Sequence, residues 1–461
     1  MRALVLAAGT GSRFKSQIPK PLHSIVGMPM IWHVLKTVRS VSPQSIAIVV
    51  GHEADRIKSF CGEEYIYFKQ DNPKGGTGDA VLSAIDCWRD FDDYLLVINA
   101  DTPLVLPDTI SSMFRYVKLV KEYENKIISG LLLSANLPDP TGYGRVIKES
   151  VDRVIRIVEE KDATPQERAV NEVNSGVYLF YCPHLLETIF SLKPSPVTGE
   201  VYLTEVFEIM NKRGYEVRAY AASDPSEVLG VNTRWDMAIV ENIARLRILQ
   251  NIAKNGATIH QPESVWIEAS VEVGSEVEIF PDVMIMGNTK ISDRAIIGKG
   301  SIIYNSLIGE GSIIEPYSVI KDSTIKPGAT VGPFAHIRSN SIIGENSHIG
   351  NFVEVKSSNI ARGVFAKHLS YIGNATIEDS VNIGAGVVFA NFDGRKKHEC
   401  RVKQKAFIGS NSLIIAPLVI GEKAFIAGGS VINKDVPDRA LAISRAPMKI
   451  KPESGHKKLN P

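Results

Sequence analysis

Branched aliphatic residues recur at every sixth position along much of the second half of the chain. One unbroken series is Ile325, Val331, Ile337, Ile343, Ile349 and Val355, and a second is Ile408, Ile414, Ile420, Ile426 and Ile432. A step of six fits neither the period of an α-helix, about 3.6 residues, nor that of one strand, about two. It is typical of a coil of short parallel strands, in which three six-residue faces make one turn around a narrow core. We therefore predict a β-helix here rather than a β-sandwich with accidental spacing.

One polar segment interrupts this period. It reads NFDGRKKHECRVKQK and begins at Asn391. An insertion of this kind in a β-helix is usually an external loop, and such loops often carry functional residues. We expect this segment to form part of a site.

The first part of the chain has a different pattern. Apolar runs at residues 2–8, 46–50 and 94–98 predict buried strands, and helical patterns at 30–40 and 77–88 lie between them. Strands that alternate with helices indicate an α/β domain with a mostly parallel sheet.

The two patterns divide the chain into three regions. We expect an α/β domain at 1–232, a linker helix at 233–255 and a β-helix with a C-terminal tail at 256–461. Asn232 or Thr233 can cap the linker helix, which is expected to stop near Gly256.

Composition narrows the possible classes of function. The formal net charge is +1, so bulk electrostatics favour neither a nucleic-acid nor a membrane partner. No run of about 18 apolar residues occurs, and no membrane span is expected. The four cysteines are scattered without a CxxC pair: Cys61, Cys87, Cys182 and Cys400. Their spacing argues against a zinc site or a disulfide framework and fits a cytoplasmic protein.

A glycine-rich loop follows the first strand. Gly9 and Gly11 allow the backbone to approach a phosphate closely, and Arg13 and Lys20 supply positive charge. A plain tight turn would also explain the glycines, and the spacing is not that of a Walker loop. Asp101 follows the strand at 94–98, at the edge where α/β sheets bind ligands. Its carboxylate suits Mg²⁺, although a helix or turn cap is the alternative.

Seven segments of this half occur together in the order found in sugar-1-phosphate nucleotidylyltransferases: LAAGTGSRF…PKPLH, GGTGDA, NADTPL, GYGRV, IVEEKDA, EVNSGVY and GVNTR. With the second half included, the chain resembles the bifunctional N-acetylglucosamine-1-phosphate uridylyltransferase / glucosamine-1-phosphate acetyltransferase family over nearly its whole length. The resemblance implies an α/β Rossmann-like nucleotidyltransferase domain followed by a left-handed parallel β-helix of hexapeptide repeats.

The resemblance also implies roles for residues of the first domain. Arg13 and Lys20 would hold the triphosphate of UTP, and Asp101 and Asn232 would ligate Mg²⁺. The uracil would be surrounded by Ala8, Gly9, Gln70, Gly76 and Thr77. The sugar and its acetamido group would be bound by Gly144, Glu159, Asn174 and Asn232. A solvated surface charge is the alternative interpretation of Glu159.

Two positions of the first domain depart from the family pattern. Asp79 stands where many relatives carry His, and Ala100 replaces the usual Gly before Asp101. The stretch between Gln70 and the GTG sequence is also one residue longer. These differences lie near the expected base pocket, and they leave the strictness for UTP open.

In the second domain the resemblance rests on GPFAHIR, GNFVEVK, KHLSYIG, NIGAG and NFDG. It implies that His368 is the general base that prepares an amine for attack on a thioester, a task that suits neutral imidazole. Glu354 would orient this imidazole. A hydrogen-bonded structural histidine is the alternative.

The other implied roles concern the sugar phosphate and the acetyl donor. Arg338, Lys356, Tyr371 and Asn382 would bind the sugar phosphate. The acetyl-CoA site would comprise Ala385, Asn391, Phe392, Ser410, Gly428 and Arg445, with Asn391 also facing the amino group. Lys397 would reach the site of a neighbouring subunit, since the resemblance implies a homotrimer.

The expected function is therefore synthesis of UDP-N-acetylglucosamine in two steps. Glucosamine 1-phosphate would be acetylated from acetyl-CoA, and N-acetylglucosamine 1-phosphate would then react with UTP and release pyrophosphate. One alternative is a single-activity nucleotidylyltransferase with a structural, oligomerising β-helix. Another is a nucleotide-sensing assembly subunit without catalysis.

Overall fold

A computed structural model describes residues 1–9, 11–72, 74–452 and 454, with the side chain of Ser12 left out. The chain divides after Ala244 into two compact units. The division falls within one long helix, Arg234–Lys254. In the described part of the chain, no helix has both the length and the apolar character that crossing a bilayer requires.

The first unit alternates strands and helices as predicted. Its strands are β1 Arg2–Ala7, β2 Ser24–Ile25, β3 Met28–Pro29, β4 Ile46–Val50, β5 Ile66–Lys69, β6 Tyr94–Asn99, β7 Ile128–Asn136, β8 Arg145–Lys148, β9 Val154–Val158, β10 Glu172–Tyr181 and β11 Glu216–Ala221. Its α-helices are α1 Met30–Ser40, α2 Ala54–Cys61, α3 Gly76–Ser83, α4 Pro107–Glu124, α5 Pro165–Arg168, α6 Cys182–Ile189 and α7 Glu205–Lys212, and it includes the first part of α8 Arg234–Lys254. Short 3₁₀ turns occupy Ser12–Phe14, Lys20–Leu22, Ile85–Cys87 and Pro225–Val228.

The main sheet of this unit has the strand order β11-β7-β10-β6-β1-β4-β5. Strand β1 is parallel to β4 and β6, and β4 is parallel to β5. Strand β10 runs antiparallel to both of its neighbours, and the β8–β9 hairpin is attached to it. The sheet is buried on both faces, which explains the continuous apolar runs of its central strands. Val5 faces one apolar core and Leu4 and Leu6 face the other.

One predicted helix is shorter than expected. The pattern at 77–88 predicted a single helix, whereas α3 ends at Ser83 and a 3₁₀ turn follows at Ile85–Cys87. The buried Trp88 indole donates to the carbonyl of Val81 at 3.2 Å, an acceptor that a continuing helix would have used. The helix predicted at 30–40 and the strand predicted at 46–50 match α1 and β4.

The start of α8 shows which of the two candidate caps is used. The hydroxyl of Thr233 accepts from the Asp236 amide at 3.1 Å, and the Asp236 carboxylate accepts from the amides of Asn232 and Thr233 at 2.9 and 2.8 Å. This reciprocal pair satisfies the first amides of the helix. The side chain of Asn232 is left for other contacts.

The second unit is a left-handed parallel β-helix with three faces, each formed by one parallel sheet. Face 1 contains Thr258–Ile259, Glu278–Ile279, Ile296–Ile297, Ile313–Ile314, Thr330–Val331, His348–Asn351, Phe365–His368, Asn382–Ile383, Phe407–Ile408, Phe425–Ile426 and Leu441–Ala442. Face 2 contains Trp266–Ile267, Met284–Met286, Ile302–Tyr304, Val319–Lys321, His336–Arg338, Glu354–Lys356, Tyr371–Gly373, Val388–Ala390, Leu413–Ile415 and Val431–Ile432. Face 3 contains Glu272–Val273, Lys290–Ile291, Leu307–Ile308, Thr324–Ile325, Ile342–Ile343, Asn359–Ile360, Ala375–Ile377, Cys400–Val402 and Leu418–Ile420.

The predicted six-residue period corresponds to these faces. Ile325, Ile337 and Ile349 are at most 1% exposed and belong to one apolar core. Most full turns advance the register by 17 or 18 residues, as in Glu278 opposite Ile296 and Ile296 opposite Ile313. The turn with the polar segment advances by 25, because Ile383 lies opposite Ile408. The extra residues leave the coil between the strands Val388–Ala390 and Cys400–Val402. The predicted external loop is therefore confirmed.

Candidate functional site

The glycine loop of the first unit lies at the carboxyl edge of the parallel strands. Gly11 has a φ of +61°, and a Cβ at this position would lie 2.8 Å from the Cβ of Lys20. Gly51, which follows β4, approaches the loop so closely that a Cβ there would lie 2.6 Å from the Ala8 carbonyl oxygen. Sequence reasoning missed Gly51, because only the pairing of β1 with β4 brings it beside Ala8.

The predicted triphosphate and metal residues converge at this edge. The Lys20 ammonium lies 2.5 Å from the Asp101 carboxylate and 3.3 Å from the Asn232 side-chain oxygen. Arg13 donates to the same Asn232 oxygen at 2.8 Å. The amide of Val231 donates to the Asp101 carbonyl at 2.9 Å, which holds Asn232 beside Asp101. Two cations, a carboxylate and an amide oxygen thus meet from distant parts of the chain.

This arrangement fits a hard divalent cation. Asp101 and Asn232 direct oxygens at one point, where the Lys20 ammonium contacts both. Across the described residues, no cluster of three His, Cys, Asp or Glu side chains could hold a metal ion. Mg²⁺ typically needs only one or two protein oxygens, with phosphates and water completing its shell. The residues present are compatible with such an ion.

The residues predicted to surround the base lie beside the loop. Gln70 extends β5, since its amide donates to the Val50 carbonyl at 2.9 Å. Its side-chain nitrogen donates to the Gly76 carbonyl at 2.9 Å. Gly76 has a φ of +79°, and Thr77 accepts a hydrogen bond from the Leu203 amide at 3.0 Å. Gln70, Gly76 and Thr77 therefore form one connected group.

Three of the four predicted sugar-binding residues lie together, while Asn232 lies beside Asp101. The Gly144 carbonyl accepts from the Asn174 amide at 2.9 Å. A Cβ on Gly144 would lie 3.5 Å from a carboxylate oxygen of Glu159. The side-chain nitrogen of Asn174 donates to the Tyr178 hydroxyl at 2.8 Å, a contact that no local motif predicts.

Glu159 is not a solvated surface charge. Burial raises the pKa of its carboxyl group, and Asp162 and Glu200 raise it further. The Thr204 hydroxyl donates to the carboxylate at 2.9 Å and opposes the shift. Thr204, just before α7, was missed because nothing in its local sequence connects it to β9.

In the second unit, His368 ends a strand of face 1 and is exposed. Its Nδ1 lies 2.8 Å from the side-chain oxygen of Asn351, one turn earlier. That oxygen can only accept, so Nδ1 is the donor and, in the neutral imidazole, Nε2 carries the lone pair. Within this chain Glu354 accepts from Arg338 at 2.7 Å, and its predicted role in orienting His368 stays a prediction.

Three cations gather on face 2 near the loop. Arg338 and Lys356 lie opposite each other in register. The pKa of Lys356 is lowered, first by contact with the Lys397 ammonium and then by Arg338. Lys397 thus lies beside Lys356 within the same chain, and its reach to a neighbouring subunit stays a prediction. Neighbouring positive charges repel one another, and a bound phosphate would offset this repulsion.

Tyr371 and Asn391 are also adjacent, whereas Asn382 lies elsewhere. A Cβ on Gly373 would lie 2.5 Å from the Tyr371 hydroxyl and 2.7 Å from the Asn391 side-chain nitrogen. Asn391 is buried and donates to Asn374 at 2.8 Å. Asn382 belongs to face 1, between Phe365 and Phe407 in register, and the single chain does not bring it to the residues of face 2.

The predicted acetyl-CoA residues mostly follow one edge of face 1. The parallel pairing of these strands can be continued two residues past their last paired positions. It then places His368, Ala385, Ser410 and Gly428 in line on successive turns. The Arg445 guanidinium donates to the Gly428 carbonyl at 2.8 Å. Phe392, on the loop, is 61% exposed.

Two family models match separate parts of the chain. Residues 3–129 match the MobA-like NTP transferase domain, and residues 322–357 match the bacterial transferase hexapeptide family (six repeats). The loop that contains Arg13 therefore lies within the first family match. The turns of the β-helix that contain Arg338 and Lys356 lie within the second.

Similarity to full-length relatives decides the family. The bifunctional protein GlmU of Aquifex aeolicus (strain VF5) is 56% identical over 461 residues, which are 100% of this chain and 99% of that protein. The chain belongs to the GlmU family of bifunctional proteins. GlmU of Hydrogenobaculum sp. (strain Y04AAS1) is 51% identical over 98% of both chains, and GlmU of Clostridioides difficile (strain 630) is 42% identical over 98% of this chain and 96% of that protein. Both units are thus common to GlmU proteins.

Proposed function

We propose that the chain synthesises UDP-N-acetylglucosamine with two separate sites. The β-helix transfers an acetyl group from acetyl-CoA to glucosamine 1-phosphate, and the first unit transfers a uridylyl group from UTP to N-acetylglucosamine 1-phosphate with release of pyrophosphate. The observation that carries this proposal is the 56% identity with a bifunctional relative over the whole chain. The separate clusters around Lys20 and His368 support it.

Uridylyl transfer brings two anionic reactants together, so catalysis consists mainly of positioning and charge neutralisation. In the proposal, Arg13 and Lys20 hold the triphosphate while Ala8, Gly9, Gln70, Gly76 and Thr77 enclose the uracil. The sugar phosphate oxygen attacks the α-phosphorus, and pyrophosphate leaves. Asp101 and Asn232 would hold Mg²⁺, which supplies further neutralisation of phosphate charge when bound.

Recognition of the acetylated sugar is assigned to Gly144, Glu159 and Asn174, with Asn232 completing the site. The Glu159 carboxylate is enclosed and keeps one oxygen bonded to Thr204, so its other oxygen can accept from a sugar group. The acetamido group exists only after acetyl transfer. A site that recognises it therefore fits the proposed order, in which uridylyl transfer comes second.

Acetyl transfer requires removal of a proton from the amino group of glucosamine 1-phosphate. Nε2 of His368 is assigned this role, because Asn351 holds the proton on Nδ1. Arg338 and Lys356 bind the sugar phosphate, Tyr371 and Asn382 contact the sugar, and Asn391 faces the amine.

The acetyl-CoA cleft is assigned to the edge of face 1 and the adjoining loop. Its proposed residues are Ala385, Asn391, Phe392, Ser410, Gly428 and Arg445. Arg445 already bonds to Gly428, which places a cation at one end of this edge. A cation there suits the phosphates of coenzyme A.

We also propose a homotrimer in the cytoplasm, with small-molecule substrates and no nucleic-acid partner. Asn382 is separated from the other sugar-phosphate residues within one chain, and a second copy could supply it to them. Its neighbours Phe365 and Phe407 are partly exposed apolar residues that a second copy would cover.

The test is a product assay with the purified protein. Glucosamine 1-phosphate, acetyl-CoA, UTP and Mg²⁺ should yield UDP-N-acetylglucosamine, pyrophosphate and free coenzyme A. A panel of four nucleoside triphosphates and several sugar phosphates defines the preferences. Pyrophosphate release without thiol release would reduce the proposal to a single-activity nucleotidylyltransferase whose β-helix only oligomerises the chain.

A further inference from the structure

Asp79 makes a contact that the reaction scheme leaves without a role. It lies in the first turn of α3, and its carboxylate accepts from the side-chain nitrogen of Gln70 at 2.8 Å. The same nitrogen donates to the Gly76 carbonyl at 2.9 Å. Both hydrogens of the Gln70 amide are therefore engaged by acceptors of the chain.

These two acceptors determine which way the Gln70 amide faces. A glutamine amide has one donor end and one acceptor end, and turning it over would set its oxygen against the Asp79 carboxylate and the Gly76 carbonyl. Gln70 is only 8% exposed, so water cannot readily replace these partners. In the part of the chain that the structure describes, no group donates to the Gln70 oxygen. The amide consequently presents an acceptor and never a donor.

We infer that Asp79 is a positioning residue that makes the first site select uracil over cytosine, by fixing Gln70 as a hydrogen-bond acceptor. This inference rests on the proposed uridylyl transfer, in which Gln70 faces the base. The N3 atom of uracil carries a hydrogen and can donate to the Gln70 oxygen, whereas N3 of cytosine is itself an acceptor and meets that oxygen with no hydrogen between them. An amide that was free to turn over would offer its nitrogen to cytosine and lose the distinction.

Gly75 provides an independent way to disturb the same contact. A Cβ added at Gly75 would lie 2.1 Å from the Asp79 carboxylate oxygen. The backbone of Gly75 has φ −64° and ψ −23°, a conformation open to any residue. The added Cβ would also lie 2.5 Å from Cγ and 2.8 Å from Cβ of Asp79, so in Gly75→Ala the whole Asp79 side chain must shift and its bond to Gln70 should break.

The experiment measures kcat/KM for UTP and for CTP with N-acetylglucosamine 1-phosphate in the full-length protein. Asp79→Ala and Gly75→Ala should each lower the UTP-to-CTP ratio by about tenfold, the value of one lost hydrogen bond of about 1.4 kcal/mol. Asp79→Asn should keep the ratio, because its side-chain oxygen still accepts from Gln70. Asp71→Ala is the matched control, since Asp71 adjoins Gln70 but is 86% exposed and pairs with Lys69.

Each outcome bears on a different claim. If wild type prefers UTP and both Asp79→Ala and Gly75→Ala retain that preference, the inference is overturned and the proposed function stands. If wild type makes no sugar nucleotide from UTP, the proposed function itself fails. Should Asp79→Ala fail to fold, the comparison of Gly75→Ala with Asp79→Asn decides: equal ratios contradict the inference, and a lower ratio in Gly75→Ala alone supports it.

Discussion

Glu159 combines an enclosed carboxylate with a hydrogen bond from Thr204, and this combination has a consequence for stability. Because its pKa is raised in the folded chain, mainly by burial, the folded state binds its proton more tightly than the unfolded state does. Stability therefore falls as pH rises from the ordinary carboxyl pKa through the raised pKa of the folded chain. Glu159→Gln removes this cost and retains an oxygen that accepts from Thr204.

We expect Glu159→Gln to raise the thermal midpoint of unfolding relative to wild type at pH 8, with the difference shrinking toward pH 4. Thermal unfolding at both pH values measures this. Glu167→Gln is the control of opposite sign, since hydrogen bonds from Thr164 lower the pKa of Glu167 and its stabilising contribution is lost as pH falls. An equal midpoint for Glu159→Gln and wild type at pH 8 would contradict the account.

The contact of Asn351 with His368 leads to a second prediction. Asn351→Leu should lower acetyl transfer by at least about tenfold, because the imidazole loses the partner that fixes its proton on Nδ1. Asn351→Asp keeps an acceptor and should retain most of the activity. Asn359→Leu, on an exposed position of face 3, is the matched control. The measurement is thiol release from acetyl-CoA, and unchanged release by Asn351→Leu would contradict the assignment.

The sequence pointed to several site residues and missed others for identifiable reasons. Arg13, Lys20 and Asp101 stand in or beside recognisable strand-end segments, and the structure brings them together. Asn351 lies a whole turn before His368, so its role depends on the register of the β-helix. The resemblance implied that Glu354 orients His368, whereas within the chain Glu354 accepts from Arg338.

Among the elements, the strands of the β-helix illustrate how one side chain per face stabilises the coil. In the strand Leu307–Ile308, Ile308 is 1% exposed and Leu307 is 50% exposed. Their neighbouring positions and similar side chains make them a matched pair. Comparing the effect of truncating each one separates the contribution of core burial from that of local strand preference.

We expect Ile308→Ala to lower the free energy of unfolding of the β-helix by about 2–5 kcal/mol, the usual cost of this truncation in a packed core. Leu307→Ala should change it by less than about 1 kcal/mol. Chemical denaturation followed by circular dichroism measures both. Equal losses in the two variants would show that the six-residue period does not define the core.

Some element boundaries could be predicted from the sequence pattern, and others depend on tertiary contacts. The period of six located the β-helix and the insertion after Ala390, because both depend on the repeat itself. The end of α3 was not predictable, since it depends on the Trp88 indole bonding to Val81. The antiparallel direction of β10 was also not predictable, because its apolar run resembles that of a buried parallel strand.

At the scale of the whole molecule, two compact units carry separate candidate sites. The predicted boundaries at 232 and 255 stay predictions, while the division after Ala244 falls inside α8. The family similarity spans both units, which fits a chain in which two reactions share one polypeptide. If the two sites act independently, a change in one should leave the chemistry of the other intact.

The most direct measurement assays both activities separately in His368→Ala and Asp101→Asn. His368→Ala should abolish thiol release from acetyl-CoA and leave pyrophosphate release nearly unchanged. Asp101→Asn should lower pyrophosphate release by at least about a hundredfold and leave thiol release unchanged. Loss of both activities in either variant, or of neither, would contradict the account of two independent sites.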